Sequence, residues 1–291
     1  MMLEGKVFVG GGKPSTEDTN TSTELHIYLP KIDLWCILQT PTYYFALTTY
    51  HSQLVLIGGY NIGANNTLTN ELWTLHYNQW LQTLPPMQSK RYGASAVSHG
   101  EHLIVAGGTG GKYYETLDIV EVYDGQHWSY VQPLPNTSGD MKSVVLNGCW
   151  YLMGGDEQGE DVYYASLDEL ITSCEMSQPS IWKLLPIVPC WYSTPAVLGK
   201  RLVSIGGIRP IPNVSLYSNI IYAYSHITES WVHAGEMPIT MANTCSTVLP
   251  TGELTVIGGL PESASKSVFK VTLEGELMIA PILCILSLCH H

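Results

Sequence analysis

Val55-Leu56-Ile57-Gly58-Gly59 and Ile104-Val105-Ala106-Gly107-Gly108 are one short pattern written twice: an apolar run closed by a pair of glycines. The pattern returns at Val7-Phe8-Val9-Gly10-Gly11, Tyr151-Leu152-Met153-Gly154-Gly155, Val203-Ser204-Ile205-Gly206-Gly207 and Thr255-Val256-Ile257-Gly258-Gly259. The second glycines lie 48, 49, 47, 52 and 52 residues apart, a regularity that marks an internal repeat.

Each unit holds more than the doublet. A Tyr- or Val-rich stretch leads to a tryptophan in Tyr28 to Trp35, Leu75 to Trp80, Tyr123 to Trp128 and Tyr224 to Trp231; Tyr164 reaches Trp182 across a longer insert. A Leu-Pro or Met-Pro turn follows at Leu84-Pro85, Leu134-Pro135, Leu185-Pro186 and Met237-Pro238. Alternating segments such as Ala94-Ser95-Ala96-Val97 read as strands by their period of two. Four strands in about fifty residues, punctuated by Gly and Pro turns, predict an all-β fold built from four-stranded antiparallel blades. The strands are near-continuously apolar, as expected where both sheet faces are covered by neighbours. The glycines fall where a strand leaves its sheet and a side chain would not fit. The Trp and Tyr rings are expected between blades, their polar ends on backbone partners.

These residues together resemble the Kelch repeat, and the resemblance runs through residues 1–291 as a single six-bladed Kelch β-propeller. Unit three carries Tyr123-Asp124 and Trp128, similar to the family's Tyr-Asp…Trp; unit two carries Pro86-Met87 and Arg91 at its Pro-Met…Arg positions. Unit one lacks that arginine, unit four has an insert, and unit six has no Trp. A propeller leaves open edges unless its last blade joins its first. The chain begins almost at the first doublet, so the tail is expected to close the ring, with 276–280 as the outer strand of blade six and 282–288 as a strand of blade one.

Composition narrows the function. Only 13% of residues are charged, 13 basic against 25 acidic, for a net charge of −12. Nucleic acid and anionic membrane are poor partners for such a chain, since both need clustered Lys and Arg. Seven cysteines without a C-x-x-C pair signal neither a disulfide ladder nor a zinc site. Met1 to Gly12 lacks the basic start and apolar core of a secretory leader, so a cytoplasmic protein with reduced thiols is expected. The sequons at Asn20, Asn65, Asn136 and Asn213 are then incidental, and the ten-residue apolar run Ala280–Cys289 is too short to span a bilayer.

Catalytic patterns are not evident. No G-x-S-x-G, H-E-x-x-H or P-loop occurs, and Gly107-Gly108-Thr109-Gly110-Gly111-Lys112 is better read as a strand end and loop than as a phosphate cradle. The acidic run Asp156, Glu157, Glu160, Asp161 lacks calcium-loop spacing. The tail set Cys284, Cys289, His290, His291 reads as an apolar strand and terminal histidines. No cofactor, metal or catalytic residue is therefore expected. Ser166 with Glu169 fits a capping box opening a short helix in the blade-four insert.

Function then falls to loops. In Kelch proteins the partner docks on the face made by the loops after each doublet and the loops entering each blade. Carried onto this chain, that face holds Tyr43, Tyr44, Tyr60, Lys90, Arg91, Tyr92, Lys112, Tyr113, Tyr114, Lys142, Trp191, Tyr192 and Arg209. Tyr, Trp and Arg are interface residues, and five basic side chains on one face of an acidic protein would draw an acidic peptide. The resemblance implies a non-catalytic protein-binding module. In the animal Kelch-like family it is the substrate receptor of a cullin-based ubiquitin ligase, behind BTB and BACK domains. Repeats starting at residue 7 leave those domains to a separate or missing region. A sugar- or small-molecule-processing enzyme using the central funnel, and an actin scaffold, are the alternatives.

Overall fold

The apolar run before each doublet is the second strand of a four-stranded antiparallel sheet. The computed structural model describes residues 1–10, 23–32, 34–154, 161–175, 179–211, 214–249, 251–261, 267–274 and 276–282. Among them are six such sheets, each contiguous in sequence. The second runs Ala46–Tyr50, Gln53–Ile57, Leu72–His76, Gln79–Leu81, and the third Ser95–His99, His102–Ala106, Val120–Tyr123, Trp128–Tyr130. Two compact units divide them: the first four sheets lie in one and the last two in the other.

The core lies between neighbouring sheets of a unit. Val55, Ile57 and Leu72 of the second sheet pack with Leu103, Val105, Tyr123 and Trp128 of the third. Ile104, Val120 and Val122 of the third pack with Trp150, Leu152 and Tyr163 of the fourth. Val203, Ile205 and Ile221 do the same with Val256, Phe269 and Val271 in the other unit. The repeated aromatic pairs are cross-strand partners: Tyr28 opposite Trp35, Tyr123 opposite Trp128, Tyr224 opposite Trp231. Their ring centroids are 4.8, 5.3 and 5.5 Å apart. The indole N–H of Trp80, Trp128, Trp182 and Trp231 donates to the carbonyls of Gln39, Pro85, Gln132 and Pro186, 2.8 to 3.3 Å away. Each tryptophan thus stitches its sheet to the chain leaving the sheet before it.

Gly58 (φ +65°) and Gly59 (φ +90°) show why the pair is needed. A Cβ on Gly58 would run into the Arg91 carbonyl oxygen and one on Gly59 into that of Tyr43, while the Gly59 N–H donates to Arg91 O at 2.8 Å. Gly108 and Gly207 donate likewise to Ser138 O and Met241 O, both at 2.8 Å. The pair is therefore a joint between consecutive sheets, where backbone meets backbone.

Ser166 caps the helix Leu167–Thr172, accepting from the Glu169 N–H, and Leu167 and Leu170 are buried beneath it. At the N-terminus the structure corrects the expectation. Met2–Leu3 pairs with Lys6–Gly10, so the first sheet takes all four strands from the N-terminal segment. Glu4 and Gly5, both at positive φ, form a turn tight enough for two residues to serve as a strand. Glu276–Ile282 is the outer strand of the sixth sheet; residues 283–288, expected on blade one, lie outside the described residues. So do Asp156, Glu157, Glu160, Cys284, Cys289 and the terminal histidines. No helix among the described residues is long and apolar enough to cross a membrane.

Candidate functional site: a tyrosine cluster beside a basic cleft

After the second, third and fifth doublets the chain makes a small hairpin, and in the first two of these cases a two-residue strand entering the same sheet pairs with it. Thr42–Tyr43 joins Tyr60–Asn61 and Thr67–Leu68; Arg91–Tyr92 joins Thr109–Gly110 and Glu115–Thr116. These ladders gather rings from loops far apart in sequence. Tyr43 stacks on its ladder partner Tyr60, centroids 5.2 Å apart and planes within 16°. Tyr60 also meets Tyr92 at 5.1 Å, Tyr44 at 6.5 Å and Tyr114 at 6.5 Å, and Tyr44 meets Tyr92 at 5.8 Å. Burial, with the surrounding phenols, pushes the Tyr60 hydroxyl up to about 12. Tyr44 is raised too, by burial and then by the nearby Asp140 carboxylate.

Tyr44 itself sits in the left-handed region at φ +56°. Its carbonyl accepts from Gly93 N–H at 3.1 Å, and the Gly93 carbonyl accepts from Asp140 N–H at 2.9 Å. All three stand just before the first strand of their sheets, and all have positive φ. In the other unit Tyr192 (φ +51°) and Asn243 (φ +53°) repeat the link at 3.0 Å. Asp140 faces solvent, yet enough protein surrounds its carboxyl that desolvation raises it, against the pull of Lys142.

Beside Tyr114 opens a cleft of about 540 Å3, lined by Leu68, Ser89, Lys90, Gly111, Lys112, Tyr114, Leu117 and Ile119. Lys90 and Lys112 are exposed, and neither lies within ion-pair distance of a carboxylate among the described residues. Lys112 lies over the Tyr113 ring at 5.3 Å. The structure therefore brings together Tyr43, Tyr44, Tyr60, Tyr92, Tyr114, Lys90 and Lys112. Tyr113 projects from the same loop, 72% exposed. Lys142, half-buried, belongs to the Asp140 end. Trp191, Tyr192 and Arg209 lie in the other unit, where Trp191 bridges Ile208 beside an exposed Arg209.

Arg91 is not a surface residue, and its place among the face residues is corrected. It is 0% exposed. Its guanidinium meets the buried Glu121 carboxylate and donates to Gly107 O at 3.0 Å and Ile119 O at 2.9 Å. Glu121 in turn accepts from the Gln88 and Ser89 backbone N–H groups at 2.7 and 3.1 Å. Burial lowers the Arg91 pKa and Glu121 opposes that shift. The pair locks the loop carrying Ser89 and Lys90 to the third sheet. Sequence reading missed Asp140, which a strict alignment of the units places opposite Tyr44. It also missed the apolar cleft lining of Leu68, Leu117 and Ile119, which no local pattern marks. Among the described residues no cluster of His, Cys, Asp and Glu could hold a metal ion.

The Kelch motif model matches residues 90–135, a stretch that includes Lys90, Arg91, the third doublet, Tyr123 and Trp128. Kelch repeat and BTB domain-containing protein 1 of camelpox virus is 20% identical over 78% of this chain, and this chain spans 40% of that protein's length. Beta-scruin of Limulus polyphemus is 25% identical over 70% of the chain, which spans 23% of it. Among solved structures, that of YjhT superposes with a TM-score of 0.75 at 15% identity, covering 96% of this chain and 95% of that one, so the two share a fold.

Proposed function

We propose a protein-interaction module that captures a peptide or protein, acidic in character, on the loops at the doublet ends of its sheets. The six sheets are read as the six blades of one propeller. The observation that carries the function is a cluster of five tyrosines whose Tyr114 end lines a cleft flanked by Lys90 and Lys112, neither of them ion-paired among the described residues. Rigid aromatics with few rotatable bonds, next to desolvatable cations, are what interface hot spots are made of. Trp191, Tyr192, Arg209 and Lys142 are the further contacts of this reading. The role of substrate receptor in ubiquitin ligation is its finer form, suggested by relatives named for a BTB domain.

The test is capture from lysate by the wild-type chain beside a Tyr60→Ala/Lys90→Ala/Lys112→Ala variant. Partners recovered by the first and lost from the second, with unchanged thermal melts, support the proposal. Identical recoveries sink it. Cullin subunits are expected only together with a BTB-containing protein.

A further inference from the structure

The cleft beside Tyr114 is divided by chemistry. Its floor is aliphatic, from Leu68, Leu117 and Ile119, and one wall is the Tyr114 ring, which continues the Tyr60 stack at 6.5 Å and 25°. Its rim is cationic, from Lys90 and Lys112, with the hydroxyl of Ser89 held by Tyr130 at 3.1 Å. Gly111 (φ +71°) leaves the remaining edge without a side chain. We infer that this cleft receives an aromatic ring bearing a doubly charged anion, presented as a phosphotyrosine of the bound peptide.

Two features select that ligand over a plain carboxylate. An apolar floor contributes nothing to a Glu or Asp side chain but removes a ring from water. Two ammonium groups with no carboxylate partner among the described residues match the −1.5 to −2 charge of a phosphomonoester better than a single negative charge. The Glu115 carboxylate reaches within 3.8 Å of the Cβ position on Gly111, so its charge opposes any anion at that edge. A volume of about 540 Å3 leaves inorganic phosphate mostly surrounded by water, whereas a phosphorylated ring occupies floor and rim together.

The inference rests on the proposed peptide-binding role of this face. It is tested by titrating the full chain with short peptides carrying phosphotyrosine, phosphoserine or tyrosine, and with phenyl phosphate and inorganic phosphate. The phosphotyrosine peptide is expected to bind at least tenfold tighter than the phosphoserine peptide and inorganic phosphate. Lys90→Ala/Lys112→Ala should lose at least tenfold, and Glu115→Gln should gain a few-fold. Both lysines are exposed, so the double variant should melt as the wild type does. Equal binding of phosphoserine and phosphotyrosine would overturn the assignment. Phenyl phosphate binding as tightly as the peptide would make a free aryl phosphate the ligand and overturn its peptide source. Phosphatase treatment of the lysate separates this idea from the broader one. Partners still captured by the wild type and still lost from the Tyr60 triple variant would sink the phosphotyrosine reading and leave the face a peptide receptor.

Discussion

Arg91 and Glu121 lie at the border of architecture and recognition, because the same loop that Arg91 anchors offers Lys90 to the cleft. Removing either partner leaves the other buried charge without its counter-ion, held only by backbone hydrogen bonds. Arg91→Met should therefore cost about 3–5 kcal/mol in denaturant unfolding, while Arg91→Met/Glu121→Leu should cost much less. The chain already hints at this role: Glu121 is an acid within the apolar strand Val120–Tyr123, where it needs a buried cation. Tyr60 supplies a second residue-scale expectation. Its folded pKa of about 12 lies above the ordinary 10.0, so the fold favours the neutral phenol. That stabilisation is complete below pH 10 and is lost as pH rises through about 12. Tyr60→Phe should flatten the fall of stability above pH 10, and unchanged alkaline curves would refute the assignment.

At the scale of the element, strands and aromatic pairs were legible because both obey a local rule. Period-two alternation and the Tyr-to-Trp spacing each specify one hairpin. What escaped was non-local. Nothing in Met1–Gly5 announces a strand, since two residues become one only when Lys6–Gly10 is there to pair with them. The cleft floor was invisible for the same reason, being drawn from the two hairpins of neighbouring sheets. The joints themselves give a sharp contrast. Gly58→Ala meets backbone and should cost roughly 3 kcal/mol or more, whereas Gly100→Ala, at φ +56° in open space, should cost only the left-handed penalty of about 1–2 kcal/mol. Ser166→Ala removes the helix cap and should cost about 1 kcal/mol; a neutral result would mean that Leu167 and Leu170 alone hold the helix.

On the scale of the whole molecule, the net charge of −12 and the local Lys90/Lys112 rim act over different ranges. The global field repels an acidic ligand at a distance, and the rim attracts it at contact. Raising salt from about 0.01 to 0.1 M shortens the Debye length from about 30 to 10 Å and screens the distant term first. The association rate of an acidic peptide is therefore expected to rise over that range, before affinity falls at higher salt. A monotonic fall from the lowest salt would show that the local rim governs encounter as well. The repeated left-handed positions carry a wider consequence. Tyr44, Gly93 and Asp140 in one unit, and Tyr192 and Asn243 in the other, stand where few side chains are comfortable and β-branched ones are excluded. Diversification at these positions must therefore draw on a short alphabet of Gly, Asn, Asp and the occasional strained aromatic. New specificities should be written mainly in the hairpin tips, while the left-handed corners change slowly and in small vocabulary.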